Sequence, residues 1–315
     1  MILTTYGRSS GFCIDPIEKK PLNHFLPGSA VLSFGTAGCN LACRFCQNWD
    51  ISKAREFDRL TQSASPEQIA RAAVLSGCRS VAFTYNDPVI FAEYAIDVAQ
   101  ACHAQGIKTV AVSAGYICAE PRADLFQHID AANIDLKAFT ESFYKRLCAG
   151  ALAPVLETLV YLKRETRVWL EITTLLIPGE NDSPQEIEAL STWILDNLGC
   201  DVPLHFTAFH PDWKLKDRPP TPPQTLKAAR KLAISLGLRY VYTGNIYDEI
   251  GQTTYCHSCQ TPLIGRDWYN LTLWNLDGSG RCKNCGTPCA GVFDGPPGSW
   301  GRRRRLVDVA NVAAD

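Results

Sequence analysis

The sequence predicts an α/β protein built on a parallel sheet, followed by a small cysteine-rich unit. Short apolar runs alternate with stretches in which apolar residues recur every three or four positions, as they do in strands and amphipathic helices. The alternation stops near residue 247, where paired cysteines, Gly and Pro take over. The chain has 315 residues, a length that suits about two domains or a single parallel barrel with an appendage.

The alternating pattern accounts for residues 30–247. Apolar runs rich in β-branched and aromatic residues predict seven strands, at 30–34, 81–85, 109–113, 132–136, 168–176, 204–209 and 240–243. Helical spacing predicts the segments between them, at 66–75, 89–103, 124–129, 141–147, 154–165, 184–198 and 222–236. Ser-Pro pairs begin two of these helices, and Gly77, Gly106 and Gly237 end three. Such units fit an incomplete (β/α) barrel and a doubly wound sheet equally well.

Composition excludes several classes of protein. The chain carries 31 Lys and Arg against 32 Asp and Glu, whereas whole-surface binding to nucleic acid or to a membrane needs clustered positive charge. There is no apolar run of about 20 residues, and the start lacks the features of a signal peptide. We therefore expect a cytoplasmic protein with no membrane partner and no nucleic-acid partner. The Arg-rich segment 296–315 is predicted to be a disordered tail.

Fourteen cysteines are the most informative feature of the composition. In a reducing compartment, clustered cysteines indicate metal ligation or redox chemistry rather than disulfides. Seven of them form three tight groups, at 39–46, 256–259 and 282–285. Five others are predicted to be buried thiols that pack as small apolar side chains: Cys78, Cys102, Cys118, Cys148 and Cys200. Cys13 and Cys289 fit neither class clearly.

The first group, Cys39, Cys43 and Cys46, follows the first predicted strand, at the end where parallel α/β folds bind ligands. Structural zinc takes four ligands, and this loop offers three thiols. A cubane iron–sulfur cluster held by three cysteines keeps one iron open to an outside chelator. The amino and carboxylate groups of S-adenosylmethionine form such a chelator. An electron passed to its sulfonium would break a carbon–sulfur bond and leave a 5′-deoxyadenosyl radical.

These residues resemble a known family. Cys39-x3-Cys43-x2-Cys46, with Phe45 before the last cysteine, resembles the signature of radical S-adenosylmethionine (radical SAM) enzymes. Segments such as SFGTAGCNLACRFCQNWDIS, TYNDP and NIDLKAF resemble the radical enzyme of the AmmeMemoRadiSam system, which is similar to pyruvate formate-lyase activating enzyme. The resemblance spans residues 4–293. It implies a partial (β/α)6 TIM-like barrel at 30–247 after a lead-in at 1–29, a [4Fe-4S] cluster, and hydrogen abstraction from a substrate.

The resemblance also implies contacts with S-adenosylmethionine. Phe45 would touch the adenine, the turn at 85–87 would hold the methionyl amino group, and a pair after the fourth strand would lie near the carboxylate. Thr174 and His210, at the ends of the fifth and sixth strands, would face cofactor or substrate. For several of these the alternative is structural: a strand-terminating turn, an ion pair or a packed histidine. The residues concerned are Tyr85, Asn86, Asp87, Asp135, Lys137 and His210.

The second and third cysteine groups predict a metal ribbon at 248–295. Two C-x2-C pairs separated by 22 residues are typical of knuckles that hold a tetrahedral metal. The ligands would be Cys256, Cys259, Cys282 and Cys285, holding zinc or a rubredoxin-like iron. A second iron–sulfur cluster is the alternative, with Cys289 as a spare ligand. The metal would stabilise a unit too small to bury a core of its own.

We expect three kinds of partner for a radical SAM oxidoreductase of this type. An electron donor such as flavodoxin or ferredoxin would reduce the cluster. The substrate would be a glycyl-radical protein or a small molecule. A ribbon that closes the barrel mouth would weigh against the glycyl-radical protein, because a loop of that protein would have to enter the mouth. Memo-like and AMMECR-like proteins of the same system are further candidates. The alternative functions are methyl donation from S-adenosylmethionine, and a non-catalytic zinc-ribbon adaptor for nucleic acid or protein whose Arg302–Arg305 stretch contacts phosphates.

Overall fold

A nine-stranded sheet organises the chain, of which a computed structural model describes residues 3–54 and 60–312. The strands are β1 Arg8–Ser9, β2 Phe12–Pro16, β3 Ala30–Phe34, β4 Gln62–Ser63, β5 Ser80–Phe83, β6 Lys108–Ser113, β7 Ala131–Asp135, β8 Trp169–Leu176, β9 Leu204–Ala208, β10 Val241–Gly244, β11 Thr254–Tyr255, β12 Pro262–Asp267, β13 Asn270–Trp274 and β14 Arg305–Val307. The helices are α1 Trp49–Ser52, α2 Pro66–Leu75, α3 Ala92–Ala104, α4 Ala119–Phe126, α5 Glu141–Phe143, α6 Ala153–Glu165, α7 Pro184–Leu198, α8 Pro223–Ser235, α9 Glu249–Gln252 and α10 Val309–Val312.

Strand order decides between the two α/β architectures. The main sheet runs β10-β9-β8-β7-β6-β5-β3-β2-β14, so its seven parallel strands lie side by side in chain order. A doubly wound sheet reverses its strand order partway, whereas a barrel does not. The order therefore confirms the predicted partial-barrel class. The sheet has seven parallel strands, one more than the six of a (β/α)6 barrel. Antiparallel β2 and β14 extend the other edge.

The two faces of the sheet pack against different partners. Residues such as Leu32 and Phe206 lie in one core with the helices, on what we call the outer face. Their strand neighbours alternate to the inner face. There Val31 and Val110 pack against Phe25 and other residues of the lead-in at 17–26. The segment before the first parallel strand therefore fills part of the barrel interior.

Local signals explain where the helices begin. The Ser65 hydroxyl accepts a hydrogen bond from the backbone N–H of Gln68, whose side chain bonds back to Ser65, a capping box. Ser183 accepts from the N–H of Glu186 in the same way. The predicted helix at 141–147 is different: α5 passes at once into a π-helical turn, Tyr144–Cys148. Of the described helices, none is both long enough and apolar enough to cross a membrane.

The Arg-rich segment is ordered where the structure describes it, contrary to the predicted disordered tail. Arg305–Val307 forms β14 and pairs with the edge of β2, because an edge strand presents unpaired backbone groups. The guanidinium of Arg303 lies 4.5 Å from the centre of the Trp300 ring. The backbone N–H of Trp300 donates to the carbonyl of Gly28. This stretch therefore closes the edge of the sheet.

The cysteine-rich unit is a three-stranded antiparallel ribbon, β11-β12-β13, that packs on the opposite edge of the sheet. Tyr240 and Tyr242, at the start of β10, share a core with Leu263 and Ile264 of the ribbon. The chain from the ribbon onward then runs to β14 at the far edge. The carboxyl-terminal segment therefore links both edge strands of the partial barrel.

Candidate active site

The loop that carries Cys39, Cys43 and Cys46 begins where β3 ends, at the carboxyl edge of the parallel sheet. Asn86, after β5, fastens its first turn: the Thr36 N–H donates to Asn86 Oδ1 at 3.1 Å, and Asn86 Nδ2 donates to Thr36 Oγ1 at 3.2 Å. A Cβ on Gly35 would lie 2.3 Å from the carbonyl oxygen of Thr84, so the chain passes too closely for any side chain. Asn86 therefore positions the loop.

The π-helical turn supports the same loop from another side. The N–H groups of Ala42 and Arg44 donate to the carbonyls of Cys148 and Leu147, at 2.9 and 2.8 Å. Leu147 and Cys148 end this turn, where the carbonyls lack partners within the helix, and π-helical turns occur often at functional sites. The departure from the predicted regular helix at 141–147 therefore has a structural role: it provides acceptors for the cysteine loop.

The three thiols differ in their surroundings. Cys43 is buried, and a hydrogen bond from the Cys148 thiol together with the charge of Lys137 lowers its pKa. Burial raises the pKa of the half-buried Cys39 to about 11. Among the described residues the three do not gather tightly enough to hold a single ion. Because a cubane takes one thiolate per iron, separated thiols fit a [4Fe-4S] cluster better than a mononuclear site.

Asp135 and Lys137 form the ion pair that the resemblance implied after the fourth strand. Lys137 Nζ lies 2.8 Å from Asp135 Oδ2 at the end of β7. Burial opposes the ammonium charge, but the Asp135 carboxylate together with the Cys43 and Cys148 sulfurs outweighs it, so the pKa of Lys137 is raised well above its usual value. The pair therefore holds the Lys137 ammonium in its charged form beside Cys43.

Asp87 builds the turn after β5. Its carboxylate accepts hydrogen bonds from the N–H of Val89 (3.1 Å), the hydroxyl of Ser113 (2.9 Å) and the N–H of Ala114 (2.8 Å). Burial raises the pKa of Asp87, although these bonds oppose the shift. The side chain therefore ties β5 to β6, which is the strand-terminating role left open by the sequence.

Tyr85 turns toward the lead-in. Its backbone is left-handed, with φ +71°, and its hydroxyl donates to Asp15 Oδ2 at 2.9 Å. The Lys20 ammonium lies 4.7 Å from the ring centre and 2.8 Å from Asp15. Although burial opposes ionisation, Lys20 and a second lysine lower the pKa of Asp15 to about 2. Tyr85 therefore belongs to a charged cluster on β2 and the lead-in.

Thr174 lies on the outer face of the sheet rather than at the end of its strand. The resemblance put it at the end of a strand facing the cofactor, but β8 continues to Leu176 and Thr174 is buried on the outer face. Its hydroxyl donates to the carbonyl of Leu136 at 2.8 Å. Thr173, one residue earlier, lies on the inner face, in register with Asp135 and His205. The Thr173 hydroxyl is buried and has no hydrogen-bond partner within the described part of the chain.

The other two implied contacts are Phe45 and His210. Phe45 is buried, with its ring centre 5.7 Å from that of Phe143 in α5, so it anchors the cysteine loop against the helix. His210 is exposed in the connection after β9. Cys148 is buried in the core, as predicted for a packing thiol, and its hydrogen bond to Cys43 is a further role that the sequence did not indicate. The two are distant in the chain, and no spacing rule pairs them.

The carboxyl-terminal cysteines converge. The sulfur atoms of Cys256, Cys259, Cys282 and Cys285 all lie within 4.8 Å of one another, with Cys256–Cys285 at 3.6 Å and Cys259–Cys282 at 3.7 Å. Four sulfurs at a zinc–sulfur bond length of about 2.3 Å around one tetrahedral ion would lie about 3.8 Å apart. The spacing therefore fits a single ion. Cys289 contacts His24 instead, with its Sγ 3.8 Å from Nδ1.

Comparisons with known proteins agree with this site. The family profile of the Radical SAM superfamily matches residues 34–190. An uncharacterized protein of Methanocaldococcus jannaschii is 42% identical over 282 residues, which cover 89% of this chain and 84% of the relative. Pyruvate formate-lyase-activating enzyme of Listeria monocytogenes is 26% identical over 53% of this chain and 70% of its own length.

Solved structures agree on the fold. The crystal structure of a radical SAM methyltransferase from Sphaerobacter thermophilus matches 72% of this chain and 71% of its own chain, with a TM-score of 0.54 and 15% identity. At that identity the likeness concerns the fold alone. The profile match, the relatives and the three-cysteine loop at the strand ends agree, and the chain belongs to the radical SAM superfamily.

Proposed function

We propose that Cys39, Cys43 and Cys46 hold a [4Fe-4S] cluster with which the protein cleaves S-adenosylmethionine reductively. Such a cluster would supply the one electron needed to cleave the carbon–sulfur bond of the sulfonium, a reaction that gives methionine and a 5′-deoxyadenosyl radical able to abstract hydrogen from a substrate. The observation that carries the proposal is the position of three separate thiols beside the Asp135–Lys137 pair at the carboxyl edge of the sheet.

The surrounding side chains take defined roles in this proposal. Lys137 binds the methionyl carboxylate, because its ammonium is held charged next to the cysteine loop. Thr173 offers an unpaired hydroxyl on the inner face to cofactor or substrate. Asn86 and Asp87 act on the cofactor indirectly, by fixing the loop and the turn between β5 and β6.

The carboxyl-terminal thiolates hold zinc in this proposal. Their spacing supports one tetrahedral ion rather than a second cluster, and zinc is the usual metal of closed four-cysteine sites. Its role is structural, because the ribbon buries few apolar residues of its own and packs on β10 through Tyr240 and Tyr242.

Closure of the barrel side supports a small-molecule substrate over a glycyl-radical protein loop. The turn between β12 and β13 contributes Trp268 and Tyr269 to a cavity also lined by His205 and Thr207 of the inner face. An extended loop of a protein substrate would have to pass Trp268 and Tyr269 to reach this cavity.

The test is product analysis under anaerobic conditions. The reconstituted protein, reduced with dithionite and mixed with S-adenosylmethionine, should form 5′-deoxyadenosine and methionine in equal amounts. Cys43→Ala should abolish both products, because the cluster loses a ligand. Cys200→Ala, which changes a thiol outside the site, should leave them unchanged. Full cleavage by Cys43→Ala, or a wild-type protein that binds no iron, would refute the proposal.

A further inference from the structure

The cavity on the inner face of the sheet presents polar groups that the protein itself does not use. His205 and Thr207 line it from β9, and Asn23 lines it from the lead-in. Within residues 3–54 and 60–312, the Nδ1 atom of His205, the Thr207 hydroxyl and the Asn23 side-chain amide have no hydrogen-bond partner. These three residues keep 5%, 9% and 7% of their surface exposed. Each of them can therefore contact a molecule in the cavity.

Glu171 fixes the orientation of the His205 ring. His205 Nε2 lies 2.7 Å from Glu171 Oε2, and the same carboxylate accepts from the backbone N–H groups of Asn23 and His24, at 3.0 and 2.8 Å. An ionised carboxylate only accepts hydrogen bonds, so the ring hydrogen lies on Nε2 and the Nδ1 atom of the neutral ring is an acceptor. A ligand group next to Nδ1 must therefore carry a hydrogen, as a hydroxyl or an amine does.

The charged side chains around the cavity balance one another. Arg266 is 1% exposed, and its Nη atoms donate to the protein: Nη2 to the carbonyl of Asn23 at 2.7 Å, and Nη1 to the hydroxyl of Thr254 at 3.0 Å. Three carboxylates are matched by three cations around the wall: Asp15, Glu18 and Glu171 by Lys19, Lys20 and Arg266. Two further carboxylates nearby are also paired: Asp248 with Lys227, and Asp267 with Arg302. A charged ligand would lose its hydration without meeting an unpaired opposite charge, which is costly.

The cavity lies near the cofactor end of the barrel. Asp135, Thr173 and His205 are in register on three neighbouring strands. Because neighbouring strands are about 4.8 Å apart, His205 lies roughly 10 Å from Asp135 across the inner face. The cavity has a volume of about 100 Å³, which corresponds to roughly three water molecules. A molecule, or one end of a molecule, with a few heavy atoms would fit it.

We infer that the substrate is an uncharged small molecule with several hydroxyl groups, and that this cavity binds those hydroxyls; this inference rests on the proposed function. A hydroxyl both donates and accepts, so it can donate to Nδ1 of His205 and accept from Thr207 or Asn23. A carboxylate cannot donate to Nδ1, and an ammonium would enter without a counter-charge. The rings of Trp268 and Tyr269 face the carbon skeleton.

The test compares three molecules that share a three-carbon skeleton and differ in charge: uncharged glycerol, anionic glycerate and cationic serinol. Saturation-transfer NMR on the reconstituted protein gives their dissociation constants by titration. The cavity variants are Thr207→Val and Asn23→Ala, which remove side-chain groups that lack a protein partner within the described residues. The control is Thr272→Val on β13, where an exposed threonine lies outside the cavity wall.

Glycerol should bind about 10-fold or more tightly than glycerate and serinol, because neither charge finds a free partner. Each cavity variant should bind glycerol about 5-fold more weakly, as expected for the loss of one hydrogen bond. The control should stay within about 2-fold of wild type. All three variants should unfold at the wild-type temperature, since no hydrogen bond within the protein is removed.

The inference is overturned if glycerol does not bind, if glycerate or serinol binds as tightly as glycerol, or if the cavity variants and the control bind glycerol alike. Failure of the proposed function looks different. It would appear as an absent [4Fe-4S] spectrum, or as no 5′-deoxyadenosine with dithionite, while glycerol binding still depends on Thr207.

Discussion

Lys137 Nζ lies 2.8 Å from Asp135 Oδ2, and the same ammonium lowers the pKa of the Cys43 thiol. One lysine therefore connects the end of β7 to the cysteine loop that follows β3, although two strands, β5 and β6, lie between them in the sheet. Because the carboxyl ends of parallel strands share one edge, residues far apart in the chain meet there. The ion pair keeps the Lys137 ammonium charged at this edge of the sheet.

Replacing Lys137 by Met should weaken the binding of S-adenosylmethionine about 10- to 100-fold, because a charged hydrogen bond to the methionyl carboxylate is lost. Equilibrium dialysis against the reconstituted protein measures this directly. Iron content and cluster absorbance should stay at wild-type levels, since Lys137 is not a ligand. Unchanged affinity would remove Lys137 from the cofactor site.

The neighbouring threonines of β8 should separate stability from function. Thr174→Val removes the buried hydrogen bond to Leu136 and should lower the free energy of unfolding by about 1–2 kcal/mol. Thr173→Val removes a hydroxyl that lacks a partner, so stability should hold while 5′-deoxyadenosine formation falls about 10-fold. Thermal unfolding and the product assay provide the two readouts, and the reverse pattern would restore Thr174 to the cofactor site.

Metal analysis should separate two cysteines of the ribbon. Cys282→Ser should lose the zinc ion and unfold at a lower temperature, because metal binding stabilises the ribbon directly. Cys289→Ser should keep the metal, since its thiol faces His24 instead. Mass spectrometry of protein stripped of its iron–sulfur cluster reports the ribbon ion alone. Loss of metal from both variants would make Cys289 a ligand and favour a different centre.

His24 should make stability depend on pH. Its Nδ1 donates to the carbonyl of Ala290 at 2.6 Å, and burial lowers its pKa from 6.5 to about 4. Below pH 6.5 the unfolded chain therefore binds a proton that the folded chain does not, so stability falls as pH falls toward 4. The loss should be about 1 kcal/mol at pH 5.5 relative to pH 7.5.

Chemical denaturation at the two pH values measures this dependence. His24→Gln, which cannot titrate, should lower overall stability and lose most of the difference between pH 7.5 and 5.5. An identical pH dependence in the variant would show that another group is responsible.

Local pattern was enough to predict the strands and the cysteine loop. The C-x3-C-x2-C spacing lies within one loop, and apolar periodicity depends on neighbours along the chain. The face on which Thr174 lies did not follow from local pattern, because its place in the site was implied by the resemblance. Adjacent strand residues point to opposite faces, so an error of one position exchanges the inner and outer face.

Contacts between residues far apart in the chain could not be predicted from the sequence either. Nothing near Arg305 indicates that it pairs with Ile14 across the edge of the sheet. The contact between Cys148 and Cys43 depends likewise on how the π-helical turn packs under the loop. Such contacts arise from the closed fold and leave no local periodic signal.

Three cysteine ligands should leave one cluster iron open to S-adenosylmethionine. Electron–nuclear double resonance can detect this contact in the reduced protein, mixed with cofactor labelled with ¹⁷O in the methionyl carboxylate and ¹⁵N in the amino group. We expect hyperfine coupling of both labels to the cluster, in wild type and in Cys200→Ala. A reduced [4Fe-4S] cluster that shows coupling to neither label would mean that S-adenosylmethionine does not bind the open iron.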